Sequence, residues 1–407
     1  MPTPSRATDT DASLLIVGAS ARAAAEAAHR CGLSVDAIDL FGDLDLSDAC
    51  RASVVADDLT VDAVERAWSE LPHPKSYSGW LPVGGLENRP DVWCLLDQLV
   101  GVPASGSAEP RQALSQLRDP ACWKRWALES GLGFPETRWR APHGATENPN
   151  ADPPARWLTK STTSAGGLSV SIWEPNRDGD NARTPEGAEG RSSRYWQREV
   201  IGADYSALAW CQEGDMEWLG ATRQWSGLKA CGAEPFWYCG SLGPVSLGRH
   251  ESAVRAFLSR AARETNWTGC MGVDLRLSDS TAWVLEINPR YPAGAEVLER
   301  ASGRSLAARA AGQDSRLPVS EPSGDSCWGK LIWYLPAGER RRSRSLDRHV
   351  PGFGAEADLH DLPRAGLEIV GPAPGFTVTA RLPNSSETLD LLIERGRYGE
   401  TLIFELI

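Results

Sequence analysis

The segment SLLIVGASARAAAEAAHRCGLSVDAIDLFGD constrains the fold more than any other stretch of the chain. It begins with an apolar run, turns into an alanine-rich stretch, stops at Gly32 and resumes as a second apolar run. This order predicts a strand, a helix and a second strand. Because two strands joined by a helical crossover run parallel, we expect the chain to open with an α/β domain built on a parallel sheet.

The rest of the chain divides into further units. Additional strand and helix patterns complete a first α/β domain at 13–110, which is an ordinary domain size. A helical pair leads into a central domain at 111–310, in which about 138–200 forms a hairpin subdomain interrupted by polar, proline-rich loops. A polar linker precedes a C-terminal unit at 325–407, whose strand patterns and single helix predict a mainly β domain.

Charge and cysteine usage narrow the class of function. The chain has 42 basic and 54 acidic residues, a formal net charge of -12. This balance argues against nucleic acid and anionic membranes as partners, since both require clustered positive charge. The nine cysteines form no CxxC pair and therefore suggest neither a disulfide framework nor a zinc ribbon. The N-terminus carries acids where a signal peptide would carry basic residues, so we expect a cytoplasmic protein with small-molecule partners.

The strongest chemical signal is GVDLRLSDSTAWVLEINPR, which predicts two strands joined by a short turn. Asp274 lies on the first strand, and Glu286 and Asn288 lie two residues apart on the second. Side chains two residues apart on a strand share a face, so these three groups can meet in one cleft. Two carboxylates and an amide oxygen suit one or two Mg²⁺ ions that hold a triphosphate. The alternative is an ordinary half-buried hairpin with solvated acids.

A second signal is Lys160, which ends a predicted strand and precedes a run of small residues. In that run, Ser164, Ala165, Gly166 and Gly167 leave backbone amides free to approach phosphate oxygens. The pattern is not a Walker loop, because no GK[ST] follows. A glycine-rich hairpin tip with a surface lysine is the alternative interpretation.

A third segment, YWQREVIGADYSALAW, predicts a strand, a turn at Gly202 and a second strand. Backbone groups at the strand edge around Arg198 and Val200 can pair with an adenine ring, and Asp204 can accept hydrogen bonds from ribose hydroxyls. Taken alone, the segment is an ordinary strand and turn.

Taken in this order, the three segments resemble the ATP-grasp superfamily, and EINPR is the most specific motif. The resemblance implies a pre-ATP-grasp βαβ domain, two subdomains that close on ATP and a mainly β C-terminal domain. It also implies ATP and Mg²⁺ (or Mn²⁺) as cofactors, with three sets of contacts. The implied metal ligands are Asp274, Glu286 and Asn288; the implied phosphate contacts are Lys160, Ser164, Ala165, Gly166 and Gly167; the implied nucleoside contacts are Gln197, Arg198, Glu199, Val200 and Asp204.

The resemblance also implies a catalytic arginine, and the sequence departs from the family pattern at one position. Arg290 matches the arginine that follows the metal ligands in this family and lies near the reacting carboxylate; Arg223 is a second candidate for that charge. The family usually has an Asp-Lys pair at the start of a helix before the GxPxP segment, but Pro120 stands where that lysine is expected. Either Lys124, one turn later, replaces the lysine, or the contact is lost.

The family uses its opening βαβ unit for the acceptor substrate. On that basis Ser20, Arg22, Asp43 and Glu87 become candidate substrate contacts, although a surface turn explains each equally well. The turn GASARA lacks the glycines of a GxGxxG fingerprint, which disfavours a nicotinamide-dependent dehydrogenase.

The function implied by the resemblance is that of an ADP-forming carboxylate-amine ligase, which activates a carboxylate as an acyl phosphate for attack by an amine. Within the superfamily, the opening segment and GGLEN resemble a branch of predicted ATP-dependent carboligases related to ligases of methanofuran- and methanopterin-type coenzyme biosynthesis. A carboxyphosphate-forming carboxylase and a catalytically inactive ATP-binding regulatory protein stay open as alternatives. The expected partners are a small-molecule carboxylate and an amine, and a homodimer is left open.

Overall fold

The structure is a computed structural model that describes residues 13–72, 77–104, 109–142, 156–163, 166–174, 194–313, 326–345, 357–383 and 387–406. In these ranges, every helix is too short or too polar to cross a membrane.

The N-terminal unit is a four-stranded parallel sheet in the order β3-β2-β1-β4. Its strands are β1 (Ser13–Val17), β2 (Ser34–Asp39), β3 (Ala52–Val55) and β4 (Gly79–Pro82), with helices α1 (Arg22–Arg30), α2 (Leu44–Ala49) and α3 (Val61–Glu70) between them. All five residues of β1 are buried. A parallel strand covered on both faces reads as a continuous apolar run, which is why the opening of this unit could be predicted from sequence.

Three helices lead from this unit into the centre of the molecule: α4 (Pro90–Val100), α5 (Pro110–Leu117) and α6 (Pro120–Glu129). Helix α6 begins at Pro120 because Asp119 caps it, accepting a hydrogen bond from the Ala121 N–H at 2.8 Å. Proline suits the first helical position, where its fixed φ is already helical and its missing N–H is not needed. Pro120 therefore has a local structural role, whatever it replaces.

The hairpin subdomain is a small antiparallel sheet in the order β5-β8-β6-β7. Its strands are β5 (Thr137–Arg138), β6 (Trp157–Ser161), β7 (Ser171–Ile172) and β8 (Arg194–Arg198).

The large sheet is antiparallel and has eight strands in the order β13-β12-β9-β10-β11-β14-β18-β16. Its central-domain strands are β9 (Ala203–Gln212), β10 (Asp215–Ser226), β11 (Tyr238–Gly243), β12 (Gly269–Leu277) and β13 (Ala282–Asn288). Helix α7 (Glu251–Thr265) precedes β12, and α8 (Ala295–Ser302) and α9 (Leu306–Ala310) follow β13. Buried residues of α7 join a core that includes Phe257 and Met271.

The C-terminal strands extend this large sheet. Strands β14 (Ser326–Leu335), β16 (Ala357–His360) and β18 (Ala373–Pro383) continue it, because β14 pairs with β11 at Gly240 and Leu331. Strands β15 (Arg340–Ser343), β17 (Glu368–Val370) and β19 (Phe404–Leu406) form a separate small sheet, and α10 (Thr388–Ile403) lies between β18 and β19. Pairing β14 with β11 covers an edge that would otherwise expose unpaired backbone groups.

A buried network of charges joins the N-terminal unit, the central domain and the C-terminal strands. Arg22 of α1 is 1% exposed and donates hydrogen bonds to Glu296 of α8 and to Asp361, which follows β16. Lys330 of β14 also donates to Glu296, at 2.9 Å. Buried charges require such partners to offset their desolvation, so this network fixes how the three parts meet.

Glu299, on α8, is a buried carboxyl whose titration should affect stability. It accepts hydrogen bonds from the Leu306 N–H at 2.6 Å and from the Tyr291 hydroxyl. Burial raises the pKa of Glu299 to about 7, compared with about 4.3 in an unfolded chain. The folded state therefore binds this proton more tightly, and the stability gained is fully present below about pH 4 and lost as the pH rises to about 7.

Glutamine keeps the shape of the side chain and stays neutral. We therefore expect the free energy of unfolding of Glu299→Gln, relative to that of the wild type, to rise by on the order of 3 kcal/mol as the pH increases from about 4 to about 7. Urea unfolding of both proteins across this range measures the difference. A difference that does not change with pH would contradict the assignment.

Candidate active site

The two strands β12 and β13 bring the predicted metal ligands together. Asp274 is the direct cross-strand partner of Glu286, and Gly272 is the partner of Asn288. Residues paired in this way have side chains on the same face of the sheet. The Asn288 Nδ2 donates to Asp274 Oδ2 at 2.9 Å, so the amide and the carboxylate are in contact.

The two acids of this hairpin disfavour each other's charged form. Burial, and then the neighbouring Glu286, raise the pKa of Asp274 to about 6. Two carboxylates face each other with a neutral amide beside them, which is a donor set of the hard oxygen type that Mg²⁺ and Mn²⁺ prefer. The residues present therefore fit the predicted ion.

Lys160 approaches the same cleft from the hairpin subdomain. Its Nζ donates to Gln197 Oε1 at 2.7 Å, and burial lowers the pKa of this lysine. Gly166 and Gly167 both have positive φ, and a Cβ on Gly167 would lie 2.0 Å from the Phe236 carbonyl oxygen. Glycine is thus required where the loop passes the opposite wall. Ser164 and Ala165 lie outside the described residues.

The cleft lies between the hairpin subdomain and the large sheet, and most of the predicted residues line it. They are Lys160, Gly166, Gly167, Gln197, Arg198, Glu199, Val200, Asp204, Asp274, Glu286, Asn288 and Arg290.

The strand edge predicted to meet adenine is partly occupied by protein. The Arg198 N–H donates to the Glu136 carbonyl and the Glu199 N–H to the Arg156 carbonyl, both at 2.8 Å. Strand β8 is also paired on both of its edges. These two donors are therefore engaged, and pairing of adenine with other backbone groups around Arg198 and Val200 stays a prediction.

Asp204 is held by an arginine that the sequence interpretation missed. Arg276 Nε donates to Asp204 Oδ1 at 2.7 Å, and its Nη1 donates to the Val200 carbonyl at 3.2 Å. Arg276 lines the cleft two residues after Asp274 on β12. The alternation of side chains along that strand was a signal that could have identified it.

At the other end of the cleft, Arg290 contacts the N-terminal unit. Its Nε donates to Glu87 Oε1 at 2.8 Å, and its Nη2 donates to Asn288 Oδ1 at 3.2 Å. Glu87 is 1% exposed. Of the four N-terminal candidates for substrate contacts, Glu87 reaches this site. Arg22 lies in the buried charge network that joins the three parts of the molecule, and Asp43 is buried near that network, beside Asp361. Ser20 is exposed.

Arg223, the second candidate for the catalytic charge, is not among the described residues that line the cleft. Its guanidinium lies 5.2 Å from the centre of the Tyr205 ring, on the opposite face of β10 from Gln224. Gln224 takes the cleft position instead, and its Nε2 donates to Asp274 Oδ1 at 3.4 Å. The reason is that successive side chains of a strand point to opposite faces of the sheet, so neighbours in sequence cannot both face the cleft.

Lys124, the candidate replacement for the lysine expected at Pro120, lies away from the cleft. It is exposed on α6 and is not among the residues that line the cleft. The cation nearest to the metal-ligand hairpin from this region is Arg118, whose Nη1 lies 2.6 Å from Glu286 Oε1. No feature of the sequence around Arg118 distinguished it from a surface arginine.

Comparison with known proteins identifies a matching domain and a shared fold. The sequence model of the ATP-grasp domain matches residues 129–294. No curated protein matches the chain. Among solved structures, the biotin carboxylase domain of the 2-oxoglutarate carboxylase of Hydrogenobacter thermophilus has a TM-score of 0.65 at 13% identity, over 97% of this chain and 90% of that one. That structure was solved with MgADP, ADP and bicarbonate.

Two further structures are similar over nearly their whole length. The L-amino acid ligase of Bacillus licheniformis has a TM-score of 0.64 at 15% identity, over 98% of this chain and 99% of that one. The N5-carboxyaminoimidazole ribonucleotide synthetase of Thermotoga maritima has a TM-score of 0.60 at 14% identity, over 96% and 98%. At such identities the likeness shows the fold alone, and the predicted multi-domain α/β and α+β fold class is confirmed.

Proposed function

We propose that this member of the ATP-grasp superfamily is an ADP-forming carboxylate-amine ligase. The observation that carries the proposal is the cleft itself, in which Asp274 and Glu286 face each other beside Asn288, with Lys160 on one wall and Arg290 at one end. Function must be argued from such a site, because one fold supports many activities.

In this proposal, Asp274, Glu286 and Asn288 would hold Mg²⁺ or Mn²⁺, which when bound would neutralise charge on the phosphates of ATP. Lys160 and the backbone of Gly166 and Gly167 bind the phosphates, with Ser164 and Ala165 kept as predicted members of the loop. Gln197, Glu199, Val200 and Asp204 bind the nucleoside, and the side chain of Arg198 borders it. These roles rest on residue type and on position around the cleft.

The chemistry proposed for Arg290 follows from its place beside Asn288. A carboxylate oxygen of the substrate attacks the γ-phosphorus, the bond from that phosphorus to the β-phosphate oxygen breaks, and ADP leaves. Arg290 binds the carboxylate and then the acyl phosphate as a fixed positive charge. The amine nitrogen next attacks the acyl carbon, the bond from that carbon to the phosphate oxygen breaks, and the departing phosphate takes the proton that the nitrogen loses. Glu87 holds Arg290 in orientation through the 2.8 Å hydrogen bond.

Trapping of the acyl phosphate tests this proposal. Hydroxylamine converts acyl phosphates to hydroxamates, so the protein is incubated with ATP, Mg²⁺, hydroxylamine and a set of carboxylic acids, and hydroxamate and ADP are measured together. The proposal expects equal amounts of both for at least one acid. ADP release that depends on bicarbonate alone would favour the carboxyphosphate-forming alternative, and binding of nucleotide without any turnover would favour the regulatory one.

The narrower assignment to coenzyme biosynthesis of the methanofuran or methanopterin type remains a prediction from the sequence resemblance. Acids and amines of those pathways are the first members of the set to try.

A further inference from the structure

Arg118 is a buried cation at the junction of α5 and α6, and it contacts both walls of the cleft. Its side chain is 9% exposed. Nη1 donates to Glu286 Oε1 at 2.6 Å and to the Ile287 carbonyl at 2.8 Å. Nη2 donates to the Thr162 carbonyl at 3.3 Å. One guanidinium therefore links β13, which carries two proposed metal ligands, to the end of β6, which carries Lys160.

The backbone that carries Arg118 is held on both sides. The indole N–H of Trp123 donates to the Leu117 carbonyl at 2.7 Å, and Asp119 caps α6. The guanidinium carbon lies 5.9 Å from the centre of the Trp123 ring. A planar guanidinium on a fixed backbone presents several donors in one fork, which a lysine cannot reproduce.

Arg118 lies among carboxylates that would otherwise repel one another. Glu286 lies opposite Asp274, and like charges facing each other across a hairpin repel. Arg118 offsets one of these charges. Burial alone would raise the pKa of Glu87, but the guanidiniums of Arg290 and Arg118 hold it below its ordinary value. Arg118 thus lies within electrostatic range of two carboxylates, Glu286 and Glu87, and the second of them orients Arg290.

We propose that Arg118 is a positioning residue for the metal and nucleotide site. It fixes the carboxylate of Glu286 and ties the hairpin that carries Lys160 to the metal-ligand strands. The inference rests on the proposed function, because it assigns Arg118 a role in binding a metal-nucleotide complex. Its measurable consequence is coupling: the metal ion and ADP each bind more tightly in the presence of the other, and Arg118 contributes to that gain through Glu286.

Calorimetric titration of ADP, with and without Mn²⁺, tests the proposal on the wild type, Arg118→Met, Arg118→Lys, Glu286→Gln and the double variant of Arg118→Met with Glu286→Gln. We expect Arg118→Met to reduce the Mn²⁺-dependent gain in ADP affinity by about tenfold or more, with a smaller loss of ADP affinity in the absence of metal from the lost contact with the Thr162 carbonyl. Arg118→Lys keeps the charge without the fork and should give an intermediate loss. Since Arg118 acts through Glu286, the double variant should lose no more than Glu286→Gln alone.

Lys124→Met is the matched control, because it removes an exposed cation from the neighbouring helix and should leave the gain unchanged. Melting temperatures show that each variant is folded, and Arg118→Lys carries the test if Arg118→Met is not. Two results would overturn this proposal and leave the proposed function standing. In the first, both Arg118 variants keep the Mn²⁺-dependent gain in ADP affinity of the wild type. In the second, the double variant loses as much of that gain as the two single variants together. Failure of the wild-type protein to bind ADP more tightly with Mn²⁺ overturns both.

Discussion

A Glu286→Gln variant should bind ADP in the presence of Mg²⁺ about 100-fold more weakly than the wild type, or worse, and should lose nearly all ATP consumption. Glutamine keeps the shape of the side chain and can still accept the hydrogen bond from Arg118. It replaces a charged oxygen ligand with a neutral one, at a site where negative charge is what attracts the ion. Calorimetric titration with Mg²⁺-ADP measures the loss.

The same substitution should change stability only slightly, because two effects oppose each other. Removing the charge of Glu286 relieves its repulsion with Asp274 but also takes the charged partner from the buried Arg118, which keeps only a neutral hydrogen-bond acceptor there. Loss of binding with retained stability is the pattern expected of a residue selected for function. Asp279→Asn is the matched control, because Asp279 is an exposed acid in the turn of the same hairpin. Equal effects of the two substitutions on binding would show that Glu286 is not a metal ligand.

A Glu296→Ala variant should lower the free energy of unfolding by about 3 to 5 kcal/mol, because it leaves buried cations without their shared partner. Glu296 is 1% exposed and accepts hydrogen bonds from Arg22, Arg300 and Lys330. These side chains come from α1, α8 and β14, so the loss should loosen the junction of all three parts of the molecule. Urea unfolding of the variant and the wild type measures the difference.

Glu217→Ala provides the comparison for this prediction. Glu217 is paired with Arg304 and Arg309 but is 42% exposed, and exposed ion pairs contribute about 1 kcal/mol or less. A cost for Glu296→Ala as small as that for Glu217→Ala would contradict the structural role of the buried network.

The parts of the site that could be predicted from sequence are those set by local periodicity. Asp274, Glu286 and Asn288 lie on one short hairpin, where alternation along a strand determines which side chains meet. Arg223 shows the limit of the same rule, because a motif does not indicate which face a strand presents. Its neighbour Gln224 faces the cleft instead.

Features that depend on contacts between distant segments could not be predicted. Arg118 approaches Glu286 across 168 positions in sequence, and only the α5–α6 junction places it there. The pairing of β14 with β11, which joins the C-terminal strands to the large sheet, likewise follows from the assembled core rather than from either strand alone. The proposed domain limits and the cytoplasmic location remain predictions.

The central claim is that the cleft binds ATP with a divalent cation, and the most direct test is the melting temperature of the purified protein with ADP and Mg²⁺, with NADH and with no ligand. A ligand that binds only the folded state raises the melting temperature. We predict a clear rise with ADP and Mg²⁺ and none with NADH. No rise with ADP and Mg²⁺, or a rise with NADH instead, would contradict the claim.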